Sequence, residues 1–394
     1  MFGGVTLMLR TAAVCGNRCH CIFVILVLTA VLVLYNTNIK EMVTTWSMTK
    51  GLTPEGQKID MVSPNASVFS TNRSVSELAA NPTSSPASPQ TGNITSTKMT
   101  DETTTSARDR NVPFKSPGLY VVEYPYEYRF IINEPKKCEQ QNPFLVLIVP
   151  LAPYNRAHRD IIRSSWGSEI LVLGKVVKLF FLLGLQNGEG AQQLHEQLLQ
   201  ESREHHDLIQ SDFLDCYKNL TIKTMVMLEW LTSHCSNASY AMKIDSDMFL
   251  NVPKLINMLL NASNTNYMTG LVVSGAPVLR DQRSKWYLPV AVYSPAVYPR
   301  YALGLGYVLS LDLPKKLVEA SRHVKAIYIE DVYLGLCMQH LGIPPTNPPS
   351  QEYFKVFPVT YSRCAYSTLV ASTTYKDSDR VRHWKDFKKP GPYC

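Results

Sequence analysis

The chain has no G-x-G-x-x-G turn and no G-K-[ST] loop, so neither a dinucleotide-binding turn nor a P-loop is on offer. It has no block of like charges. Its net charge of +7 is spread over 394 residues, which gives nucleic acid no basic stripe to follow. Cys138, Cys216, Cys235, Cys337, Cys364 and Cys394 include no C-x-x-C pair, and a thiolate zinc site is thereby disfavoured. No nucleophile–base dyad is recognisable, so a covalent intermediate is not indicated. Long apolar runs are scarce too: near the start stands Cys21 to Tyr35, CIFVILVLTAVLVLY.

That run is preceded by Arg10, Arg18 and His20, and no acid occurs before Glu41. No small-x-small cleavage site follows it, so an uncleaved signal-anchor is expected rather than a secretory peptide. The basic flank stays cytosolic and the bulk of the chain is lumenal. Between Ser63 and Ser106, 19 of 44 residues are Ser or Thr and Phe69 is the sole aromatic, too little apolar surface to offset the entropy of ordering. The expected layout is a tail over 1–20, an anchor over 21–37, a stem over 38–115 and a folded head over 116–394. Six N-x-[ST] sequons, at Asn65, Asn72, Asn93, Asn219, Asn237 and Asn261, fit a lumenal chain. Cys15, Cys19 and Cys21 offer palmitoylation sites at the anchor. The six later cysteines are expected to form disulfides, in a pairing the sequence does not give.

The head alternates strand and helix patterns. Phe144–Val149 (FLVLIV) reads as a buried strand, Asn155–Trp166 as a helix and Val176–Leu183 as a second strand. Gly190–His205 and Leu220–His234 read as helices, and Tyr240–Ile244 as a further strand. This order implies an α/β fold with a mostly parallel sheet covered on both faces. Ligands of such sheets bind beyond the carboxyl ends of the strands. Asp245 and Asp247 stand there. Spaced by one residue at a strand end, they point the same way and suit a hard divalent cation that also takes substrate phosphates. They also read as an acidic turn before a helix beginning near Asn251-Val252-Pro253.

Three other stretches stand out. Arg159 and Arg163 share a helical face, as a phosphate clamp or as a solvated basic face over Trp166. Tyr298 to Tyr307 mixes aromatics with Gly304 and Gly306, which either let a ligand approach the backbone or form a tight turn. Trp286, Tyr287 and Tyr301 could cover sugar faces or fill a core. Ile327 to Gly335 puts Glu330 and Asp331 where an apolar strand is expected to meet a helix, either as helix-start acids or as a general base.

R-x-x-I-R-x-x-W-G, D-F-L-D-C-Y-K-N-L-T-I-K-T, D-S-D-M-F-L-N, Y-P-x-Y-x-x-G-x-G-Y and E-D-V-Y-x-G follow one another in register. Together they resemble the β-1,3-glycosyltransferases of glycosyltransferase family 31, over roughly Pro143 to Cys394. The DSDMF wording and Arg283-Ser-Lys-Trp-Tyr287 are most like its β-1,3-galactosyltransferases of the type 2 kind. The resemblance implies a GT-A fold, a Golgi type II membrane protein, UDP-galactose as donor, Mn2+ as metal and a glycan acceptor on glycoprotein or glycolipid. By position it implies that Asp247 binds the metal and that Asp245 supports it or the ribose. Asp331 would then be the base, Arg159 and Arg163 would lie near the donor, and Trp286, Tyr301, Gly304, Gly306 and Glu330 near the substrates. One departure stands against these matches: Thr373 occupies the place where the family carries a histidine, and His383 follows ten residues later. Two alternatives follow from the same residues: an N-acetylglucosaminyltransferase on the same fold, and an inactive glycan-binding membrane protein. A metal-dependent phosphohydrolase also uses paired aspartates, but the dense His/Asp set of such sites is missing.

Overall fold

A computed structural model describes residues 118–394. The expected anchor and stem, the sequons at Asn65, Asn72 and Asn93, and Cys15, Cys19 and Cys21 lie outside the described residues. No helix among the described residues is long and apolar enough to cross a membrane.

The elements run β1 (Phe130–Ile132), β2 (Leu145–Pro150), α1 (Arg156–Arg163), β3 (Leu171–Val172), β4 (Lys175–Leu185), α2 (Ala191–His205), β5 (Leu208–Leu214) and α3 (Leu220–His234). They continue with β6 (Tyr240–Ile244), β7 (Met248–Leu250), α4 (Val252–Leu259), β8 (Met268–Val273), β9 (Tyr301–Ser310) and α5 (Leu313–Ser321). The last are α6 (Glu330–His340), β10 (Phe354–Lys355), α7 (Arg363–Thr368), β11 (Ala371–Thr373) and α8 (Asp377–Phe387).

The main sheet has the order β1-β5-β4-β2-β6-β9-β8, with β3 paired to β4. β2 is its centre because its apolar run is buried on both faces, as a strand flanked by helix layers requires. It pairs in parallel with β4 (Leu147↔Leu179) and with β6 (Leu147↔Met242). Alternate residues feed two cores: Val146 and Ile148 pack with α3 and Trp230, while Leu145, Leu147 and Val149 pack with Trp166 and Phe249. The expectation of a mostly parallel sheet needs correction. Only β5-β4-β2-β6 is parallel; β9 pairs antiparallel with both β6 and β8, and β1 with β5. No helix lies between β8 and β9, and without a crossover the chain returns antiparallel.

The chain builds outward from β2 to β4 and β5, then returns to place β6 on the other side of β2. This reversal makes a switch point, and ligands of such sheets bind beyond the carboxyl ends of the strands there. Asp245 is the first residue past β6. A smaller sheet, β10-β11-β7, stands just beyond it, with Met248 opposite Thr373. The helix expected at Asn251 forms as α4: Asn251 Oδ1 accepts from Lys254 N at 3.1 Å, an N-cap with Pro253 in the first turn. The strand expected before Glu330 does not form. Ile327 makes only a single bridge to Val121, and α6 starts directly at Glu330.

Cys138–Cys235 and Cys364–Cys394 are disulfides. Cys216 and Cys337 are free, so the expectation that all six cysteines pair holds for four. Cys337 is buried among apolar neighbours in α6, and burial pushes its thiol up to about 12. It is packed as a small apolar side chain.

Candidate active site

β6 delivers a lysine and an acid to its own end. Lys243 is buried, and its Nζ donates to Asp245 Oδ1 at 2.6 Å and to the Gly304 carbonyl. Burial alone would lower the Lys243 pKa, but Asp245, Glu330 and Asp331 around it hold it above its ordinary value. Asp245 keeps 41% of its side-chain surface. Burial of the strand end still raises its carboxyl, Lys243 opposes that rise, and the like charges of Asp247 and Glu330 add to it.

β9 bridges this end to α6. The Asp245 amide donates to the Leu305 carbonyl at 3.0 Å, and the Gly304 amide donates to Asp331 Oδ2, also at 3.0 Å. Two consecutive residues of one strand therefore tie the β6 acid to the α6 acid. The other Asp331 oxygen accepts from the Val332 amide at 2.9 Å. Glu330 is 8% exposed; its Oε1 accepts from Thr224 Oγ1 at 3.0 Å and from the Tyr307 hydroxyl at 2.7 Å. Burial raises the pKa of both Glu330 and Asp331, and Lys243 opposes the rise at each. Glu330 is thus bound inward while Asp331, half-buried, stands at the rim.

Glycine is required at 304. A Cβ there would lie 2.9 Å from Glu330 Oε2 and 3.5 Å from Asp331 Oδ2. Gly304→Ala is expected to lose about 1–3 kcal/mol, the usual cost of overpacking, read as a lower midpoint in thermal unfolding.

Asp247 lies in the turn after β6 with its side chain exposed. Its carbonyl accepts from Thr374 N at 3.0 Å and Thr374 Oγ1 at 2.7 Å. Among the described residues no three His, Cys, Asp or Glu side chains are grouped closely enough to hold a metal ion alone. Asp245 and Asp247 are nonetheless hard oxygen donors, and the Asp247 charge adds to the rise at Asp245. They fit a divalent cation whose other ligands are phosphate oxygens and water.

The sequence expectations divide at this site. Asp245, Gly304, Glu330 and Asp331 come together, and Asp247 adjoins them. Trp286, 40% exposed, adjoins Tyr217, whose phenol also feels the Asp331 charge. Tyr217 was not singled out in the sequence, although it lies in the D-F-L-D-C-Y-K-N run. Tyr301 is in the core at 8% exposure, the bland reading for an aromatic. Gly306 faces β6, where a Cβ would meet Met242 Cε at 3.3 Å; it allows strand pairing rather than ligand approach.

Arg159 and Arg163 need the clearest correction. Arg159 is 1% exposed, and its Nε and Nη2 donate to Glu201 at 2.7 and 2.6 Å while Nη1 donates to the Pro153 carbonyl. Arg163 donates to Asp207 at 2.8 Å through both Nε and Nη2, and to Glu201 and Asp160 at 2.7 Å. These donors are consumed by carboxylates of α2, the α2–β5 turn and α1. The pair fastens α1 to α2 and is not turned towards phosphate. Glu201→Ala would strand the buried Arg159 guanidinium and take one of several carboxylate contacts from Arg163, and removing one partner of a buried pair costs roughly 3 kcal/mol or more. Chemical denaturation is expected to show that loss.

Thr373 Oγ1 donates to the Val356 carbonyl at 3.0 Å. His383 stacks on Tyr361 at 4.0 Å between ring centres. Of the three sequons within the described residues, Asn237 and Asn261 are exposed and Asn219 is half-buried.

A family model described as Galactosyltransferase matches residues 157–349. The chain is 40% identical over 274 residues to β-1,3-galactosyltransferase 2 of Pongo abelii, covering 68% of this chain and 64% of that protein. It is 40% identical over 270 residues to the Homo sapiens protein of the same name, covering 67% and 63%. It is 38% identical over 265 residues to β-1,3-galactosyltransferase 1 of Mus musculus, covering 66% and 79%. The matched stretch thus spans just under two thirds of the type 2 relatives.

Proposed function

As the chain belongs to the β-1,3-galactosyltransferase family, we propose that it moves galactose from UDP-galactose, with inversion, to the 3-hydroxyl of a glycan ending in N-acetylglucosamine. The observation that carries this reading is the bridge from Asp245 through Leu305 and Gly304 to Asp331. Acids distant in sequence meet there at the carboxyl end of β6. We read the sheet and its switch point as a GT-A nucleotide-sugar fold, with a second, small sheet behind the D-x-D turn.

Asp247 and Asp245 would hold a divalent cation, Mn2+ by the family resemblance, at the donor's diphosphate. Bound there, the cation offsets charge gathering on the departing UDP. Lys243 favours the ionised form of the Asp245 carboxylate and fixes its direction. Asp331, held by two backbone amides, takes the proton from the acceptor hydroxyl. That oxygen bonds to the anomeric carbon on the face opposite UDP, and the bond to the β-phosphate oxygen breaks with its electron pair leaving on UDP. An α-linked donor so displaced yields a β linkage. Tyr217, which feels the Asp331 charge, and its neighbour Trp286 would contact the acceptor.

The apolar run at 21–35, the Ser/Thr-rich segment after it and the sequons support a type II Golgi membrane protein with a lumenal head. The two disulfides suit an oxidising compartment. The test is a transfer assay on the purified full chain with Mn2+ or EDTA, offering UDP-galactose and UDP-N-acetylglucosamine separately. Galactose transfer that EDTA removes is the expected result. Transfer of N-acetylglucosamine alone would reassign the donor, and glycan binding without transfer from either would leave the protein a lectin-like one.

A further inference from the structure

The residue between the two aspartates is enclosed by a closed ring of side chains. Ser246 Oγ stands 3.4 Å from His158 Nδ1, on α1. The other ring nitrogen, His158 Nε2, stands 3.1 Å from Asp377 Oδ2, at the start of α8. Asp377 Oδ1 accepts from Arg380 Nη2 at 2.6 Å, and Arg380 Nη1 donates back to the Ser246 carbonyl. The circuit therefore runs from Ser246 to His158, Asp377 and Arg380 and returns to Ser246. Thr374, just past β11, supports it through its two bonds to the Asp247 carbonyl.

Both mounts of the ring are rigid. α1 is fastened to α2 by the Arg159–Glu201 pair. α8 is fixed by Phe387, whose ring centre lies 5.3 Å from that of Phe249 on β7. Arg380 itself is 2% exposed, and it feels the Asp247 charge. A turn carrying two like charges tends to splay them apart, so two convergent carboxylates need an outside restraint. Rigid supports around a site are what hold its reacting groups in direction.

We propose that His158, Asp377 and Arg380 are positioning residues that set the direction of Asp245 and Asp247 for the donor's diphosphate. The proposal rests on the donor-site reading above and extends it to three residues from α1 and α8.

The experiment titrates UDP in the presence of Mn2+ into the full chain by calorimetry, for wild type, His158→Ala, Asp377→Ala, the double variant, His158→Gln and Asp247→Ala. Donor KM and kcat are measured alongside, and thermal unfolding confirms folding. Losing one restraining hydrogen bond is expected to weaken UDP binding about 3–10-fold and to raise donor KM to match, with kcat at saturating donor unchanged. The double variant should be no weaker than either single one, since a ring opened once is already open. His158→Gln should restore most of the affinity, because its amide can bridge Ser246 and Asp377. Wild-type affinity in both alanine variants, with binding lost in Asp247→Ala, would overturn the ring and leave the donor site standing. Additive losses in the double variant, or a fall in kcat alone, would also overturn it. Unaltered binding in Asp247→Ala would remove the donor-site reading, and the ring's purpose with it.

Discussion

Asp331→Asn is expected to lower transfer about 10²–10⁴-fold, the usual contribution of a positioned general base, while UDP and Mn2+ bind as before. The reason is its placement. Asp331 is half-buried, with its oxygens oriented by the Gly304 and Val332 amides and, among the described residues, no cation partner of its own like the Lys243 that Asp245 has. Glu330, its neighbour, already accepts from Thr224 and Tyr307. Steady-state rates together with UDP calorimetry check this directly. Asparagine keeps one of the two acceptors and sets its NH2 against the other backbone N–H, so unfolding free energy should fall by about 1–3 kcal/mol.

The same residue gives a pH dependence with a definite sign. Burial raises the Asp331 pKa, so the rate should fall as pH drops through that raised value, above the ordinary aspartate pKa of about 3.9. Stability runs the other way. A carboxyl whose folded pKa exceeds its unfolded one binds its proton more tightly when folded, so its contribution is greatest below the unfolded pKa. It is lost as pH rises through the folded pKa. Lys243, with its pKa held above the ordinary value, stays charged throughout this window.

Asp247→Ala is expected to cost about 10³-fold or more in transfer, since a cation offsetting charge on a leaving group is worth several kcal/mol. Here the loss should include UDP binding. Asp247 is exposed, and its hold on Thr374 runs through its backbone carbonyl, so the fold should be unaffected. A midpoint of unfolding equal to wild type, with no Mn2+-dependent UDP binding, is the expected pairing. Retained activity would count heavily against the donor site.

Segments whose burial is written in their own pattern were legible in the sequence. Tyr240–Ile244 and Leu220–His234 form as read, because an apolar run bounded by polar residues has one economical structure in a layered fold. β5 was not legible: Gln210, Ser211 and Asp212 interrupt its apolar pattern, although Gln210 and Ser211 are buried. The direction of β9 was hidden for another reason, as pairing direction depends on the connection and not on a strand's own residues. Arg159 and Arg163 were misjudged because their partners, Glu201 and Asp207, lie far along the chain. A shared helical face does not say what it faces. The ring of His158, Asp377 and Arg380 was invisible for the same reason, while the resemblance pointed to Asp331 at a site with Asp245 and Asp247.

The most direct test of the central claim, that the acids at the end of β6 and the acid opening α6 serve one reaction centre, is an anomalous-scattering map of crystals of the chain grown with Mn2+ and UDP. The account predicts a manganese peak against the Asp247 carboxylate, diphosphate oxygens completing its shell, and Asp331 facing the same crevice. A peak elsewhere, or UDP bound on a surface away from Gly304 and Asp331, would contradict it.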